Sequence, residues 1–157
     1  AEQTLELVAG LPGEGGGIEL EITETALLQD LETSRRRLER LREAGVRIAI
    51  DDFGTGYSSL ALLPRLPIDA LKIDRSFIQG LPDDRANVTL VSSIIGLARA
   101  FELEAVAEGV ETAGQLEMLR AFGCNRSQGF LHGRPVPGDE IERMLLSSAN
   151  GAAAIQG

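Results

Sequence analysis

The stretch VRIAIDDFGTGYSSLALLPRLPIDALKIDRSFI, residues 46–78, decides the fold of this chain. Its first five residues, 46–50, are rich in β-branched side chains and predict a strand that ends at two aspartates. A glycine-bearing loop and a short helix, which Pro64 and Pro67 stop, lead to a second predicted strand at 69–73. A strand, a helical connection and a strand form a βαβ unit, which predicts a parallel sheet.

The same alternation continues on both sides of this stretch. Further strands are predicted at 18–22, 103–108 and within 124–131, and helices at 4–11, 30–45, 87–102, 113–123 and 138–148. Five strands suit either an open doubly wound sheet or part of a (β/α)8 barrel, and 157 residues are too few for a complete barrel of about 250. Residues 149–157 show no pattern that predicts order, so we place the domain at 1–148 and expect a disordered tail after it.

The composition is that of one soluble globular domain, with 43% hydrophobic and 25% charged residues. A formal net charge of -9, with five Phe, one Tyr and no Trp, argues against binding to DNA or RNA polymers. The single cysteine, Cys124, excludes a disulfide framework and favours a reducing compartment, and we expect its thiol to be buried. No run approaches the roughly 20 apolar residues of a membrane span, and the first residues lack the basic start of a signal peptide. We therefore expect a chain that is neither membrane-anchored nor exported.

Polar or ionisable side chains stand at the carboxyl ends of all five predicted strands. Because the βα loops of parallel folds meet at that edge, we expect these side chains to lie close together. They are Glu21, Glu24, Asp51, Asp52, Lys72, Asp74, Glu108, Glu111 and Gln128. Several carboxylates at one edge repel each other unless a cation compensates them, which predicts a divalent ion that prefers oxygen ligands, such as Mg²⁺ or Mn²⁺. Lys72 is a candidate for orienting or deprotonating a water molecule.

The acidic residues at the strand ends also have simpler structural interpretations. Taken singly, Glu24, Asp74 and Glu111 are more typical of helix caps or solvated loop residues than of ligands. Asp51 and Asp52 could begin a turn with an Asx hydrogen bond. Because successive strand residues point to opposite faces, both aspartates can converge only if the chain turns sharply, and Gly54 and Gly56 would permit that turn.

Five motifs are more specific than any single residue: LEITE, DDFGTGYSSL, LKID, AEGVET and QGFLHGRP, in this order. Together they resemble an EAL domain, and the resemblance covers residues 18–137. It implies a TIM-like (β/α)8 barrel phosphodiesterase that hydrolyses cyclic di-GMP to linear pGpG with two Mg²⁺ or Mn²⁺ ions. Two such ions would stabilise the attacking and leaving oxygens of an in-line displacement.

The resemblance also implies a role for each matching position. The metal ligands would be Glu21, Asp51, Asp52 and Glu108, with Asp51 bridging the two ions. Lys72 would position or activate the attacking water. Glu24 would hold the loop DDFGTGYSS in place, and Glu111 and Gln128 would support the lysine, the water and the substrate.

The chain departs from the family pattern in one respect. The Glu-Ala-Leu motif of an earlier strand is absent from this sequence, as is the strand that supplies an Asn ligand. Residues 1–148 therefore match only barrel strands four to eight, with the 4–11 helix preceding strand four. We expect a half-built first metal site, weak or no activity of the isolated chain, and an open edge at strand 18–22 that invites homodimerisation or pairing with another segment.

Three functional hypotheses follow from these observations. The first is a metal-dependent cyclic di-GMP phosphodiesterase in bacterial second-messenger signalling, located in the cytoplasm, although its parent could be membrane-attached. The parent would carry a neighbouring sensory or GGDEF domain. The second is a degenerate EAL module that binds cyclic di-GMP or a partner protein without hydrolysis. The third is an unrelated barrel enzyme that uses Lys72 as a base beside one Mg²⁺ ion.

Overall fold

The computed structural model of the chain describes residues 17–28, 30–55 and 60–153. The helix predicted at 4–11 lies outside these residues. Within them, five parallel strands form one sheet in the order of the sequence. They are β1 (Glu19–Thr23), β2 (Arg47–Phe53), β3 (Ala70–Ile73), β4 (Glu104–Ala107) and β5 (Arg126–Ser127).

The strand order decides between the two predicted architectures. A doubly wound sheet reverses its strand order at a switch point, whereas here every strand pairs with the next one along the chain. One-way progression is the topology of a TIM-like barrel, and five of eight strands make an incomplete one. Among the described residues β1 pairs only with β2, so its other edge is open.

Six α-helices accompany the sheet in the described part of the chain. They are α1 (Glu24–Leu28), α2 (Leu31–Glu43), α3 (Arg75–Gln79), α4 (Arg85–Ala100), α5 (Ala113–Phe122) and α6 (Gly138–Ala153). A 3-10 helix spans Leu60–Arg65. The sequence patterns missed α1 and α3 because five residues are too few to show a helical period. The last helix spans Gly138–Ala153 and so continues past the predicted helix end at 148.

The two faces of the sheet differ because side chains alternate along each strand. Towards the helices, large residues such as Ile48, Ile50, Leu71 and Ile73 are at most 2% exposed and belong to the main core. Burial of each such side chain stabilises the fold by roughly 1.5–3 kcal/mol. The opposite face carries small apolar residues at mid-strand, namely Ala49, Ala70 and Val106. This second face corresponds to the inside of a barrel.

A ring of ion pairs lies at the amino ends of the strands. Arg47 contacts Glu19 and Glu104, at 3.3 and 2.8 Å, and Arg126 contacts the same two carboxylates at 2.7 and 2.9 Å. The four residues come from β1, β2, β4 and β5. Because each charge has two opposite neighbours, the network ties four strands together at the end of the sheet opposite to the predicted site.

Two other features concern the polar interior. Cys124 is only partly buried, not the fully buried residue that we expected, and its thiol lies 3.4 Å from the Ala105 carbonyl oxygen.

Gln115, at 5% exposure, is one of two buried polar side chains among the described residues. Its Nε2 donates to the Ile78 carbonyl at 3.1 Å, and its Oε1 accepts from the Glu111 backbone N–H at 2.8 Å. Gln115 therefore ties the loop after β4 to helix α3.

Candidate active site

Lys72 lies at the centre of the carboxyl edge of the sheet. Its side chain is 4% exposed, and its ammonium nitrogen lies 2.6 Å from Glu21 Oε1, 3.1 Å from Asp51 Oδ1 and 2.5 Å from Glu108 Oε1. The lysine belongs to β3, two of the carboxylates belong to β1 and β2, and Glu108 directly follows β4. The topology thus brings together residues that are up to 87 positions apart, from 21 to 108.

Gln128 joins this group from the fifth strand end. Its Nε2 donates to Glu108 Oε1 at 3.1 Å. Backbone hydrogen bonds extend the sheet past the strand ends, from Glu108 N to the Ile73 carbonyl at 3.1 Å and from Gln128 N to the Ala107 carbonyl at 2.9 Å. These bonds hold the backbone of Glu108 and Gln128 at the edge, although both residues follow short strands.

The surrounding carboxylates determine the charge of Lys72. Burial by itself disfavours an ammonium, but hydrogen bonds to Glu108, Glu21 and Asp51 outweigh it and raise the pKa of Lys72 well above its usual value. In this arrangement the lysine is suited to orienting a water or phosphate oxygen, and not to deprotonating it. Burial raises the pKa of Glu108, against the opposing effect of the lysine.

Asp52 reaches the edge in a way that the sequence analysis did not foresee. Strand β2 continues through both aspartates and turns only after Phe53, at Gly54, and its pairing with β3 shifts register between Ile50 and Phe53. Asp52 itself has a φ of 53°, a left-handed conformation that Asp tolerates better than most residues. At this position Asp52 lies close to Asp74 and also within electrostatic reach of Asp51 and Lys72. Burial, followed by repulsion from Asp51 and Asp74, raises the pKa of Asp52.

The remaining predicted residues have different positions. Asp74 is the N-cap of α3 and accepts from the Ser76 backbone N–H at 2.9 Å, which agrees with the helix-cap interpretation. Hydrogen bonds from the Ser76 hydroxyl and from its backbone N–H lower the pKa of Asp74. Glu24 is the first residue of α1, and part of the loop that it was expected to hold, 56–59, lies outside the described residues. Glu111 is exposed and lines a cavity beside Glu108.

The edge is acidic even with its lysine. Three carboxylates around one ammonium leave a formal charge of -2, and Asp52 lies nearby with a pKa that other carboxylates raise. These are hard oxygen donors with excess negative charge, which fits Mg²⁺ or Mn²⁺. Among the described residues, however, no three acidic, histidine or cysteine side chains are arranged to coordinate a metal ion. The Lys72 ammonium lies between the carboxylates instead.

A cavity of about 380 Å³ opens next to Glu108. Its walls include three residues that the sequence analysis did not consider: Arg75, Phe130 and Arg134. Arg75 directly follows Asp74 at the end of the third strand, and Arg134 belongs to the HGRP segment after the fifth strand. Both could have been found by extending the search at strand ends from acidic to basic side chains.

Comparison with known proteins gives a consistent result. The family model described as EAL domain matches residues 3–135. The cyclic di-GMP phosphodiesterase NbdA of Pseudomonas aeruginosa is 51% identical over 128 residues, which are 82% of this chain and 16% of that protein. The chain spans only 16–20% of the length of curated relatives that match it at this level of identity.

Solved structures show the same likeness. The EAL domain of Mycobacterium smegmatis DcpA has a TM-score of 0.84 and 47% identity, covering 93% of this chain and 66% of that one. The PaMucR phosphodiesterase, solved as a cyclic di-GMP complex, has a TM-score of 0.78 and 50% identity over 82% of this chain and 52% of that one. Klebsiella pneumoniae BlrP1, solved with manganese and cyclic di-GMP, has a TM-score of 0.75 and 34% identity over 85% of this chain and 34% of that one.

Proposed function

The chain belongs to the EAL domain family, and on that premise we propose that it supplies the catalytic edge of a metal-dependent phosphodiesterase that hydrolyses cyclic di-GMP to linear pGpG. The observation that carries this proposal is the convergence of Glu21, Asp51 and Glu108 on Lys72 at the carboxyl ends of four neighbouring strands. Two relatives named or solved as cyclic di-GMP phosphodiesterases share half of the aligned residues with this chain, which supports the substrate.

Each residue at the edge has a part in this proposal. Divalent ions would be held by Glu21, Asp51, Asp52 and Glu108, and they would supply Lewis-acid activation of water and charge neutralisation at the phosphate. Lys72 donates hydrogen bonds that orient the attacking water or a phosphate oxygen. Gln128 holds Glu108 in place through the 3.1 Å hydrogen bond. Glu24 would hold the loop that follows β2, and Glu111 would support the lysine, the water and the substrate.

The proposed reaction breaks one bond of the cyclic dinucleotide. The water oxygen forms a bond to one phosphorus, and the bond from that phosphorus to a ribose 3′ oxygen breaks. The water gives up one proton to the surroundings and the leaving 3′ oxygen gains one, so that the product is linear with a terminal phosphate.

A second candidate function is a binding module that holds cyclic di-GMP or a protein partner without hydrolysis. What favours it is the Lys72 ammonium, which lies between the carboxylates that would hold a metal ion. We place the signalling role of the chain in the bacterial cytoplasm, next to a sensory or GGDEF domain. Among the described residues no helix combines the length and the apolar character that crossing a bilayer requires.

The test is direct. We expect the chain, incubated with cyclic di-GMP and Mg²⁺ or Mn²⁺, to bind the dinucleotide, and the longer protein that contains it to form pGpG in chromatography. An EDTA-treated sample is the matched control, and its product should disappear. Binding and turnover both absent from the longer protein would contradict the phosphodiesterase proposal, whereas binding without turnover would favour the second candidate.

We also propose that two copies associate through the open edge of β1. A groove of about 210 Å³ lies beside that strand, with Leu20, Ile22, Leu38 and Leu41 among its walls. An unpaired strand next to an apolar groove is a typical site of edge association. Light scattering of the purified chain should give twice the monomer mass, and Leu20→Lys should reduce it to the monomer. A monomeric wild type at the highest soluble concentration would contradict this expectation.

A further inference from the structure

A hydrogen bond between Ser127 and His132 lies outside the group around Lys72. Ser127 is the last residue of β5, His132 follows five residues later, and the Ser127 Oγ lies 2.8 Å from the His132 Nε2. Either tautomer of the imidazole can make this bond, because a hydroxyl both donates and accepts. His132 is the single histidine of the chain, and neither residue has a part in the proposed reaction.

The pair lies on the side of the sheet opposite to the Gln128 side chain. Ser127 is in register with Ala107, which belongs to the main core. Arg126 is in register with Val106, which belongs to the opposite face. Because side chains alternate along a strand, Ser127 projects towards the helices, whereas Arg126 and Gln128 project away from them. The hydrogen bond thus holds the end of β5 from behind, while the Gln128 amide faces the candidate active site.

The position of Gln128 affects the proposed reaction through one carboxylate oxygen. Glu108 Oε1 accepts from Gln128 Nε2 at 3.1 Å and lies 2.5 Å from the Lys72 ammonium. A shift of the Gln128 amide therefore changes the orientation of Glu108 towards the ammonium. Glu108 is also a proposed metal ligand, and removal of a group that orients a metal ligand typically lowers metal affinity or activity by about 10–100-fold.

Strand β5 is too short to hold Gln128 by itself. It has two residues, and among the described residues it pairs only with β4. Two backbone hydrogen bonds of Gln128, of 2.9 and 3.0 Å, connect it to β4 and to the loop after that strand. On the far side of the turn, His132 N donates to the Gly129 carbonyl at 3.0 Å, and the His132 ring reaches back to Ser127. His132 therefore closes the turn 127–132 around Gln128.

We propose that the hydrogen bond between Ser127 and His132 positions Gln128, and through it Glu108, for the proposed hydrolysis. The inference rests on the proposed function, since it concerns the same carboxylate. Neither Ser127 nor His132 belongs to the described walls of the cavity beside Glu108, so both act through protein contacts and not on the substrate. Loss of the bond lets the turn 127–132 adopt more conformations, which lowers the fraction of molecules in which Glu108 has its productive orientation.

The first measurement is a kinetic double-mutant cycle in the longer protein that turns over cyclic di-GMP. We expect His132→Leu and Ser127→Ala each to lower kcat by about tenfold, while KM changes by less than about twofold, because neither residue contacts the substrate. The double variant should be no slower than either single variant, since both substitutions remove the same bond. His132→Gln retains a polar nitrogen near the position of Nε2 and should restore most of kcat.

Ser93→Ala is the matched control for the loss of a hydroxyl. Ser93 Oγ donates to the Thr89 carbonyl at 2.7 Å on the exposed side of α4, so its removal should leave kcat unchanged. Multiplicative effects of the two single substitutions would show that the residues act separately and would overturn the inference. A rise in KM at constant kcat would place them on the substrate and overturn it as well, as would a His132→Leu variant with the kcat of the wild type.

The second measurement is independent of activity. Because the chain has a single histidine, the assignment of its ring nitrogen signals in NMR is unambiguous. Ser127→Ala should shift the Nε2 signal of the chain, and Ser93→Ala should not. An unshifted signal would overturn the inference and leave the proposed function standing. A shifted signal together with no turnover by the longer protein would overturn the proposed function, and this inference with it.

Discussion

Replacing Lys72 with methionine lowers kcat for cyclic di-GMP hydrolysis by about 10²–10³-fold in any form of the protein that shows turnover, the range typical for loss of one preorganised donor. Methionine has similar length and no charge, so it removes the ammonium from its position between Glu21, Asp51 and Glu108 while filling most of the space. Cyclic di-GMP binding should persist, because the other residues of the edge are unchanged. Steady-state kinetics and calorimetry measure the two quantities separately.

The Lys72 variant needs a stability measurement beside its kinetics. Its ammonium compensates three carboxylates that are 18–47% exposed, so its loss leaves them facing one another and lowers the free energy of unfolding. Circular dichroism shows whether the variant is folded at the assay temperature. Arg143→Met is the matched control, since that arginine pairs only at the surface of α6. A folded Lys72→Met variant with kcat within tenfold of the wild type would remove the lysine from the proposed chemistry.

Substituting Gly129 with alanine destabilises the chain by about 3 kcal/mol, the upper range for a side chain forced into a packed site. Gly129 has a φ of 153°, and a Cβ added there would lie 2.3 Å from both the nitrogen and the oxygen of Val110. Backbone atoms cannot give way as the end of a side chain can. The segment after β5 must therefore separate from the loop after β4, which breaks the two 3.0 Å hydrogen bonds made by Val110.

The same substitution should also lower activity, because Gln128 precedes Gly129 and holds Glu108. Gly133→Ala is the matched control in the same segment, since nothing lies within 4 Å of a Cβ built there. Urea unfolding of both variants gives the free energies, and the control should differ from the wild type by less than about 0.5 kcal/mol. A Gly129→Ala variant as stable as the control would show that the two loops are not in the close contact described.

The alternation of strands and helices was decided by the sequence alone, because β-branched runs such as 46–50 and helix stops at Gly45 and Gly123 are local signals. The proximity of Glu21, Asp51, Lys72 and Glu108 also followed from the sequence, since all parallel strands present their carboxyl ends to one edge. The choice between an open sheet and part of a barrel was not available from local patterns. It depends on which strands are neighbours.

Only the tertiary structure determines which of the residues at the edge contact each other. Asp51 contacts Lys72, whereas Asp52, beside the register shift in β2, lies close to Asp74 as well, and no local pattern specifies a register shift against another strand. The charge of Lys72 depends in the same way on three carboxylates from other strands. The pairing of Phe130 with Arg134 and the cavity beside Glu108 arise where loops meet. Sequence spacing determines which side chains reach an edge, whereas hydrogen-bond register and loop packing between distant segments determine which of them touch.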